Sequence, residues 1–127
     1  MKGRIALALF VERKGKRTML SGKARFAEGA FGRMKGLMFE RRKNFDYSLI
    51  FKMPSESRMG SSIHMMFVFF PIDVLFLDSG KKVVDIVHSL RPWALNCTPK
   101  RPAKFIVEMP EGTAKSKSIK IGERIVF

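Results

Sequence analysis

The sequence contains one cysteine, two histidines and 11 acidic residues among its 127 positions. Because Cys97 is alone, neither an internal disulfide nor a metal site made of several thiolates can form, and we expect the chain in the cytoplasm. His64 and His88 lie outside any HxxxH or HExxH spacing, the usual signals of histidine metal ligation. The sequence therefore predicts no metal and no cofactor.

Signatures of common enzymes are also missing. There is no GxSxG, P-loop or GxGxxG motif, so nothing specifies a nucleophilic serine or a nucleotide site. Cys97 with His64 or His88 would make a thiol–imidazole pair, but a small side chain in a proline-rich loop is the simpler interpretation of this cysteine. Asp73 or His64 would be the general acid or base of an enzyme, but no nucleophile accompanies either residue. Enzymatic activity stays uncertain, and the sequence favours its absence.

No apolar run is long enough to cross a membrane. Residues 63–77 are apolar or proline at 13 of 15 positions, but the segment is too short for a bilayer and is interrupted by Pro71 and Asp73. Residues 5–11 follow a basic start and resemble a short signal peptide. Because no small-residue cleavage site follows, they are predicted to form a first strand, buried on both faces.

Positive charge is abundant. There are 25 lysines and arginines, the net charge is +14, and residues 1–44 carry most of the excess. Such an excess favours anionic partners such as nucleic acid or another polyanion, although solubility or adaptation to the host would also explain it. The candidate basic surface is predicted to be exposed and comprises Arg13, Lys14, Lys16, Arg17, Arg41, Arg42 and Lys43.

The residue pattern predicts a mainly β fold, with α+β as the alternative. One helix is expected near residues 30–38, with Phe31, Met34, Leu37 and Met38 on its apolar face. Residues 55–62 are polar and are predicted to form a mobile loop. Strands are predicted at 5–11, 18–27, 46–54, 72–77, 82–90, 103–112 and 119–127.

These elements fit one domain over residues 1–127. We expect a compact antiparallel β-sandwich or half-barrel of about seven or eight strands. The sequence between the strands at 72–77 and 82–90 predicts a tight hairpin turn. Asp78 is assigned there as a turn residue, and Gly80 as the position with positive φ. The oligomeric state is left open.

Asp73 is the sharpest candidate for a functional role, because it lies in an apolar strand. Residues 72, 74 and 76 should share one strand face, while Asp73 shares the other with residues 75 and 77. A buried carboxylate needs a cation or backbone N–H donors. The sequence offers Arg33, at the edge of the helix, and His64 as partners. Asp73 is predicted to be buried in a clamp that joins the helix to the sheet, or else to line a polar pocket with these two residues and Trp93.

Several short sequence motifs occur in an order that resembles the DUF192 family of small uncharacterised proteins. They are FGRMKGLMF, PIDVLFLDSGKKVVDI, RPW, FIVEMPEG and IKIGERI, and the resemblance spans about residues 22–127. The family pattern maps onto Arg33, Gly36, Leu37, Met38, Pro71, Asp73, Phe76, Asp78, Pro92, Glu108, Gly112 and Gly122. The resemblance implies a compact, mainly β fold with a short helix and implies no known reaction.

Two functions follow from these observations as expectations. The first is a non-catalytic module that binds an anionic ligand or nucleic acid through the basic surface. The alternative is a small-molecule or carbohydrate pocket around Arg33, His64, Asp73 and Trp93. An acid/base enzyme ranks below both.

Overall fold

In the computed structural model the backbone is described for residues 5–6, 8–27 and 29–127, and the side chains of residues 5, 6, 30 and 31 are not described. The described helices are Gly29–Lys35 (α1) and Thr113–Ser116 (α2), with 3₁₀ turns at Arg42–Asn44 and Met59–Ser61. The described strands are Ile5–Ala6 (β1), Leu9–Arg13 (β2), Lys16–Ser21 (β3), Ala24–Phe26 (β4), Ser48–Ser57 (β5), Ile72–Leu77 (β6), Val83–Leu90 (β7), Ala103–Pro110 (β8) and Arg124–Val126 (β9).

The strands form two sheets, which confirms the predicted mainly β architecture. The larger sheet has the order β1-β4-β5-β8-β6-β7, and the smaller has the order β3-β2-β9. Neighbours pair antiparallel except β4 and β5, which are parallel. The sheets are layered in the manner of a sandwich, with a helix and long loops on the outer face of the larger sheet.

Alternation along the strands separates two cores, one on each face of the larger sheet. On β6, Leu75 and Leu77 contribute to the inner core, which also contains Leu9 and Ile125 of the smaller sheet. The intervening β6 residues, with Val74 at their centre, contribute to the outer core under α1 and the loops. The predicted division of β6 into two faces is confirmed, and all six of its residues are buried.

The first hairpin differs from the prediction of two long strands. β1 pairs with β4 in the larger sheet, whereas β2 pairs with β3 and β9 in the smaller one. Each arm of the hairpin therefore crosses from one sheet to the other. Phe10 is only half-buried, so β2 is not buried on both faces. Arg25 on β4 lies over the Tyr47 ring, 4.5 Å from its centroid.

Helix α1 ends at Lys35, before the predicted boundary at residue 38. Gly36 adopts φ +49, which is left-handed and ends a helix. The predicted apolar face is correct for Leu37, which is buried, and wrong for Met34, which is 60% exposed. The side chain of Phe31 lies outside the described residues.

Two loop predictions are also corrected. Residues 55–57 belong to β5 and residues 59–61 form a 3₁₀ turn, so the segment predicted as a mobile loop has regular structure. In the β6–β7 turn the positive φ, +65, falls on Lys81 and not on Gly80. Asp78 is a turn residue as predicted, since its Oδ1 accepts hydrogen bonds from the backbone N–H groups of Gly80 and Lys82, both at 2.9 Å.

Candidate functional site

Asp73 is buried, with 1% of its surface exposed, and it is held by backbone donors. Its Oδ1 accepts a hydrogen bond from the N–H of Ser89 at 2.9 Å, and its Oδ2 accepts one from the N–H of Ala114, also at 2.9 Å. Because Ser89 lies on β7 and Ala114 on α2, the carboxylate links β6 to both. The predicted burial and the predicted backbone donors are thus both observed.

Arg33 is not the partner of Asp73, and the predicted clamp to α1 is corrected. Asp73 is opposite Met109 in the β6–β8 register, and Met109 belongs to the inner core. Arg33 lies over the outer face, where it lines a pocket with Phe51. The larger sheet separates the two side chains, because successive residues of a strand point to opposite faces. Asp73 therefore clamps α2, not α1.

A pocket of about 300 Å³ lies between α1 and the segment 60–64 on the outer face. We call it the α1 pocket. Its apolar wall is formed mainly by residues of the outer core, and its polar side chains come from α1, the segment 60–64 and β8. The lining residues are Arg33, Met34, Lys35, Gly36, Leu37, Phe51, Met53, Gly60, Ser62, Ile63, His64, Val68 and Glu108.

Glu108 lies at the buried end of this pocket and is 4% exposed. It follows Val107 on β8 and is opposite Val74 in the register, which turns it toward the outer face. Within the described part of the chain its carboxyl group has neither a hydrogen bond nor an ion pair. Burial without a partner raises the pKa of Glu108 to about 8. At neutral pH the group is mainly the uncharged acid, which can both donate and accept a hydrogen bond.

Gly36 lets α1 approach the sheet at this point. A Cβ at residue 36 would lie 3.3 Å from Cζ of Phe51 and 4.0 Å from Oε1 of Glu108. The residue also has φ +49, a conformation that glycine adopts without steric cost. Both features favour glycine at residue 36, the first position of the GLM motif (residues 36–38).

The rim of the α1 pocket is basic. Arg33 has no carboxylate within ion-pair distance in the described residues, and Nζ of Lys35 reaches only the carbonyl of Met38, at 3.4 Å. Nδ1 of His64 accepts a hydrogen bond from the N–H of Met66 at 3.2 Å. An accepting Nδ1 carries no proton, so the neutral imidazole carries its proton on Nε2 and offers it as a donor.

The four predicted site residues thus divide among three places. Arg33 and His64 meet in the α1 pocket, as proposed from the sequence. Asp73 lies on the opposite face, beside a depression that also involves His88 and Lys115. Trp93 is 46% exposed and packs against Phe67, with ring centroids 4.8 Å apart. A single pocket that contains all four residues is therefore wrong.

Some side chains of the candidate basic surface form ion pairs and hydrogen bonds within the protein. Arg13 is half-buried, where it pairs with Glu123 and donates to the carbonyls of Lys117 and Ser118 at 2.8 Å. This ion pair raises the pKa of Arg13 and lowers that of Glu123. Arg17 lies 3.8 Å from Glu12, and Arg42 lies 3.2 Å from Glu111. The predicted exposure is therefore wrong for Arg13 only. The other six residues are exposed, including the two in surface ion pairs: Lys14, Lys16, Arg17, Arg41, Arg42 and Lys43.

Cys97 is half-buried and pairs through its backbone with Ile63, which places it next to the α1 pocket. Burial, followed by the charges of Asp85 and Glu108, raises the pKa of its thiol. Such a shift disfavours the thiolate nucleophile. Among the described residues no cluster of three His, Cys, Asp or Glu has metal-binding geometry, and no described helix has the length and apolarity of a membrane span.

The family model of DUF192, "Uncharacterized ACR", matches residues 10–127. The chain belongs to the DUF192 family. A UPF0127 protein of Pyrococcus furiosus is 43% identical over 112 residues, which are 88% of this chain and 90% of that protein. A UPF0127 protein of Thermococcus sibiricus is 41% identical over 88% of this chain and 70% of its own length. The family match includes the first hairpin, which precedes the resemblance that begins near residue 22.

Solved structures share the fold of this DUF192 chain. A protein of unknown function from Novosphingobium aromaticivorans superposes with a TM-score of 0.81 at 18% identity and covers 98% of this chain and 94% of its own. A structure from Sinorhizobium meliloti, described as "a putative transcription regulator", has a TM-score of 0.85 at 20% identity, over 99% and 95% of the two chains. At such identities the likeness shows the fold alone.

Sequence reasoning missed the role of Glu108, although the family pattern included it. The signal was available in FIVEM, where one acidic residue interrupts an apolar strand just as Asp73 does in PIDVL. The two acids face opposite sides because the β6–β8 register places Asp73 opposite Met109 and Val74 opposite Glu108. That register depends on pairing between distant segments, which the local sequence does not specify.

Proposed function

We propose that this DUF192 protein is a binding module whose α1 pocket takes a small organic anion that carries hydroxyl groups, such as a sugar acid. The observation that supports the proposal is Glu108, which is 4% exposed and lacks a partner in the described residues although it lines a pocket. Its carboxyl oxygens are not among the fully buried unpartnered atoms of the described residues, so they are accessible from the pocket. A ligand hydroxyl would supply the missing partner.

The charges at the pocket select the ligand class. Arg33 and Lys35 at the rim favour a carboxylate on the ligand, and the guanidinium can bind it with two parallel hydrogen bonds. Glu108 does not oppose such an anion at neutral pH, because its pKa of about 8 keeps it mainly uncharged. Nε2–H of His64 adds a donor for a second ligand oxygen.

The apolar wall selects the shape of the ligand. Leu37, Phe51 and Val68 line one side of the pocket. The C–H face of a sugar ring packs well on such a surface, and pockets with apolar walls and a few polar groups are typical of small-molecule sites. The volume of about 300 Å³ suits a single ring and not an oligosaccharide.

The proposal can be tested by NMR titration of the ¹⁵N-labelled protein with glucuronate, glucose and acetate at pH 6.5. We expect glucuronate to shift the amide signals of Gly36, Ser62 and His64 at lower concentration than either other compound. Arg33→Ala should weaken glucuronate binding at least about tenfold, because one charged hydrogen bond contributes about 1.5–3 kcal/mol. Arg41→Ala, an exposed arginine outside the pocket, is the matched control.

The dependence on pH provides an independent check. Binding of the anion should weaken as the pH rises through 8, because Glu108 then becomes a buried anion in the same pocket. Glu108→Gln should remove this step while it retains a donor and an acceptor. Equal shifts for all three compounds, or shifts that lie away from the pocket, would contradict the proposal.

A second candidate is polyanion binding by the basic surface, which is supported by the net charge of +14. Lys14, Lys16, Arg41 and Lys43 are exposed. Retention on heparin should fall steeply with salt if these residues contact sulfate groups. Retention that Lys14→Glu and Arg41→Glu leave unchanged would exclude this surface.

A further inference from the structure

Four aromatic side chains from three segments form a continuous surface, which we call the aromatic cluster. Phe39 stacks on Phe67 with ring centroids 4.9 Å apart and an interplanar angle of 26°. Trp93 lies 4.8 Å from Phe67 and 5.8 Å from Phe69. Phe39, Phe69 and Trp93 are 65%, 60% and 46% exposed. Large apolar groups that are exposed together, and not singly, indicate an interaction site.

The backbone of the cluster is held in an uncommon conformation. Phe39, Phe67 and Trp93 have φ angles of +64, +58 and +64, which bulky L-residues rarely adopt. Hydrogen bonds fix two of these positions, since the N–H of Phe39 donates to the carbonyl of Phe67 at 2.8 Å and that of Trp93 donates to the carbonyl of Met65 at 2.9 Å. Strained residues of this kind concentrate at functional sites. These positive φ angles do not bury the rings, so packing of the hydrophobic core does not explain them.

The chain segments that carry the rings are basic. The segments that carry the four rings, 39–44, 65–70 and 91–95, contain four basic residues and one acidic residue, Glu40. Glu40 is 8% exposed and accepts a hydrogen bond from the hydroxyl of Tyr47. Arg41, Lys43 and Arg91 are exposed, and Arg42 is exposed but pairs with Glu111 at 3.2 Å. Exposed rings on basic chain segments fit an anionic partner with flat apolar groups.

We propose that the aromatic cluster binds single-stranded nucleic acid, with bases stacked on Phe69, Trp93 and Phe39 and phosphates on the flanking arginines. Stacked bases and a basic border are the two components of sequence-tolerant single-strand sites. A duplex keeps its base faces inside the stack and cannot use these rings. A second copy of the chain would bring Arg41 and Arg91 against equal charges. The site is separate from the α1 pocket and does not depend on its function.

The single tryptophan of the sequence makes the proposal directly measurable. We expect the fluorescence of Trp93 to be quenched when a 12-nucleotide oligothymidylate is added at low salt. An abasic oligodeoxyribose phosphate of equal length has the same charge and no bases. Because one stacked base contributes about 1–3 kcal/mol, the abasic oligomer should bind at least about fivefold more weakly.

Variants of the exposed rings test the same idea without the tryptophan signal. Anisotropy of a labelled oligothymidylate should show at least about fivefold weaker binding by Trp93→Ala and by Phe69→Ala. Ile121→Ala is the matched control, because Ile121 is an exposed apolar residue, 59% exposed, outside the cluster, and its affinity should be unchanged. Arg91→Glu should flatten the slope of log affinity against log salt by about 0.7 for each phosphate that the variant no longer neutralises.

Several results would overturn the proposal. One is equal affinity for the oligothymidylate and the abasic oligomer, which would leave only generic charge attraction. Another is unchanged affinity in both ring variants, with their folding verified by circular dichroism. A third is a concentration-dependent dimer that Phe69→Ala dissociates while oligothymidylate has no effect, which would make a second copy the occupant of the cluster.

Discussion

Two buried carboxyl groups on neighbouring strands have opposite surroundings. Asp73 on β6 accepts two backbone hydrogen bonds, and Glu108 on β8 has no partner within the described residues. The first arrangement is typical of a structural clamp. The second leaves hydrogen-bonding capacity for a ligand, at a cost in stability that depends on pH.

The pH-dependent destabilisation by Glu108 should appear as a difference in the free energy of unfolding between the wild type and Glu108→Gln. A carboxyl group whose folded-state pKa is raised from 4.5 to about 8 destabilises the fold progressively as the pH rises between these values. With each unit worth about 1.4 kcal/mol, the destabilisation of the wild type approaches on the order of 5 kcal/mol above pH 8. Urea unfolding at several pH values should show the variant close to the wild type near pH 4.5 and more stable at pH 9.

The control for this measurement is Glu111→Gln. Glu111 is exposed in the same stretch of chain, and its ion pair with Arg42 lies at the surface, where such pairs contribute about 1 kcal/mol or less. Its difference from the wild type should stay within about that value over the same range. A Glu108→Gln difference that does not grow with pH would mean that this carboxyl group titrates normally, and the argument from an unpartnered acid would fail.

Asp73→Ala should destabilise the protein by on the order of 3 kcal/mol, because it leaves the buried N–H of Ala114 without its acceptor. Arg33→Ala should have a separate and smaller effect. Since the two residues lie on opposite faces of the sheet, the double variant should equal the sum of the single variants within about 0.5 kcal/mol. Thermal or urea unfolding of the four proteins measures this, and a clearly non-additive result would restore the Arg33–Asp73 pair.

Among the secondary-structure elements, the GLM motif that follows α1 determines how closely this helix approaches the larger sheet. Gly36 ends the helix and lies against Phe51, and Leu37 then enters the outer core. The pocket exists because this turn sits over Glu108 without a side chain of its own.

Gly36→Ala should lower the free energy of unfolding by more than the penalty for its positive φ alone. The positive φ contributes about 1–2 kcal/mol, and the contact of 3.3 Å with Phe51 adds to it. Gly15→Ala is the matched control, because Gly15 also has positive φ but a Cβ there would meet nothing within 4 Å. Urea unfolding should rank Gly36→Ala below Gly15→Ala, and equal effects would show that Phe51 moves aside freely.

The sequence specified some elements and not others for physical reasons. β6 was predictable with its faces, because alternation is a local property and every residue of the strand is buried. The division of the first hairpin between two sheets was not predictable, since it depends on β2 pairing with β9 near the other end of the described chain. Asp73 was assigned to the correct face of β6, but which face α1 covers also depends on distant pairing, so its predicted contact with Arg33 was wrong.

For the molecule as a whole, one ion pair fastens the smaller sheet. Arg13 at the end of β2 binds Glu123, which precedes β9, and also binds two carbonyls after α2. These contacts join the first hairpin to the last turn, and they lower the pKa of Glu123 through the hydrogen bond from Arg13.

Glu123→Gln should therefore reduce stability only above acidic pH. A carboxyl group with a lowered folded-state pKa contributes stability above its ordinary value of 4.5 and loses it as the pH falls through the folded value. The variant should be about 1 kcal/mol less stable at pH 7, and this deficit should shrink as the pH falls below 4.5. Thermal unfolding at a series of pH values below 7 checks this. A deficit that does not shrink on acidification would mean that the pair acts through packing.

The pairing of β2 with β9 has a consequence for how the protein is made. Arg13 and Glu123 are 110 residues apart in the chain, so a ribosome exposes the first hairpin long before it has synthesised the strand that completes its sheet. During that interval the β2 edge is open and Leu9 and Val11 lack their cover, a state that invites pairing with other nascent chains. The lysines at the hairpin tip, Lys14 and Lys16, are suited to oppose such association by mutual repulsion until β9 arrives.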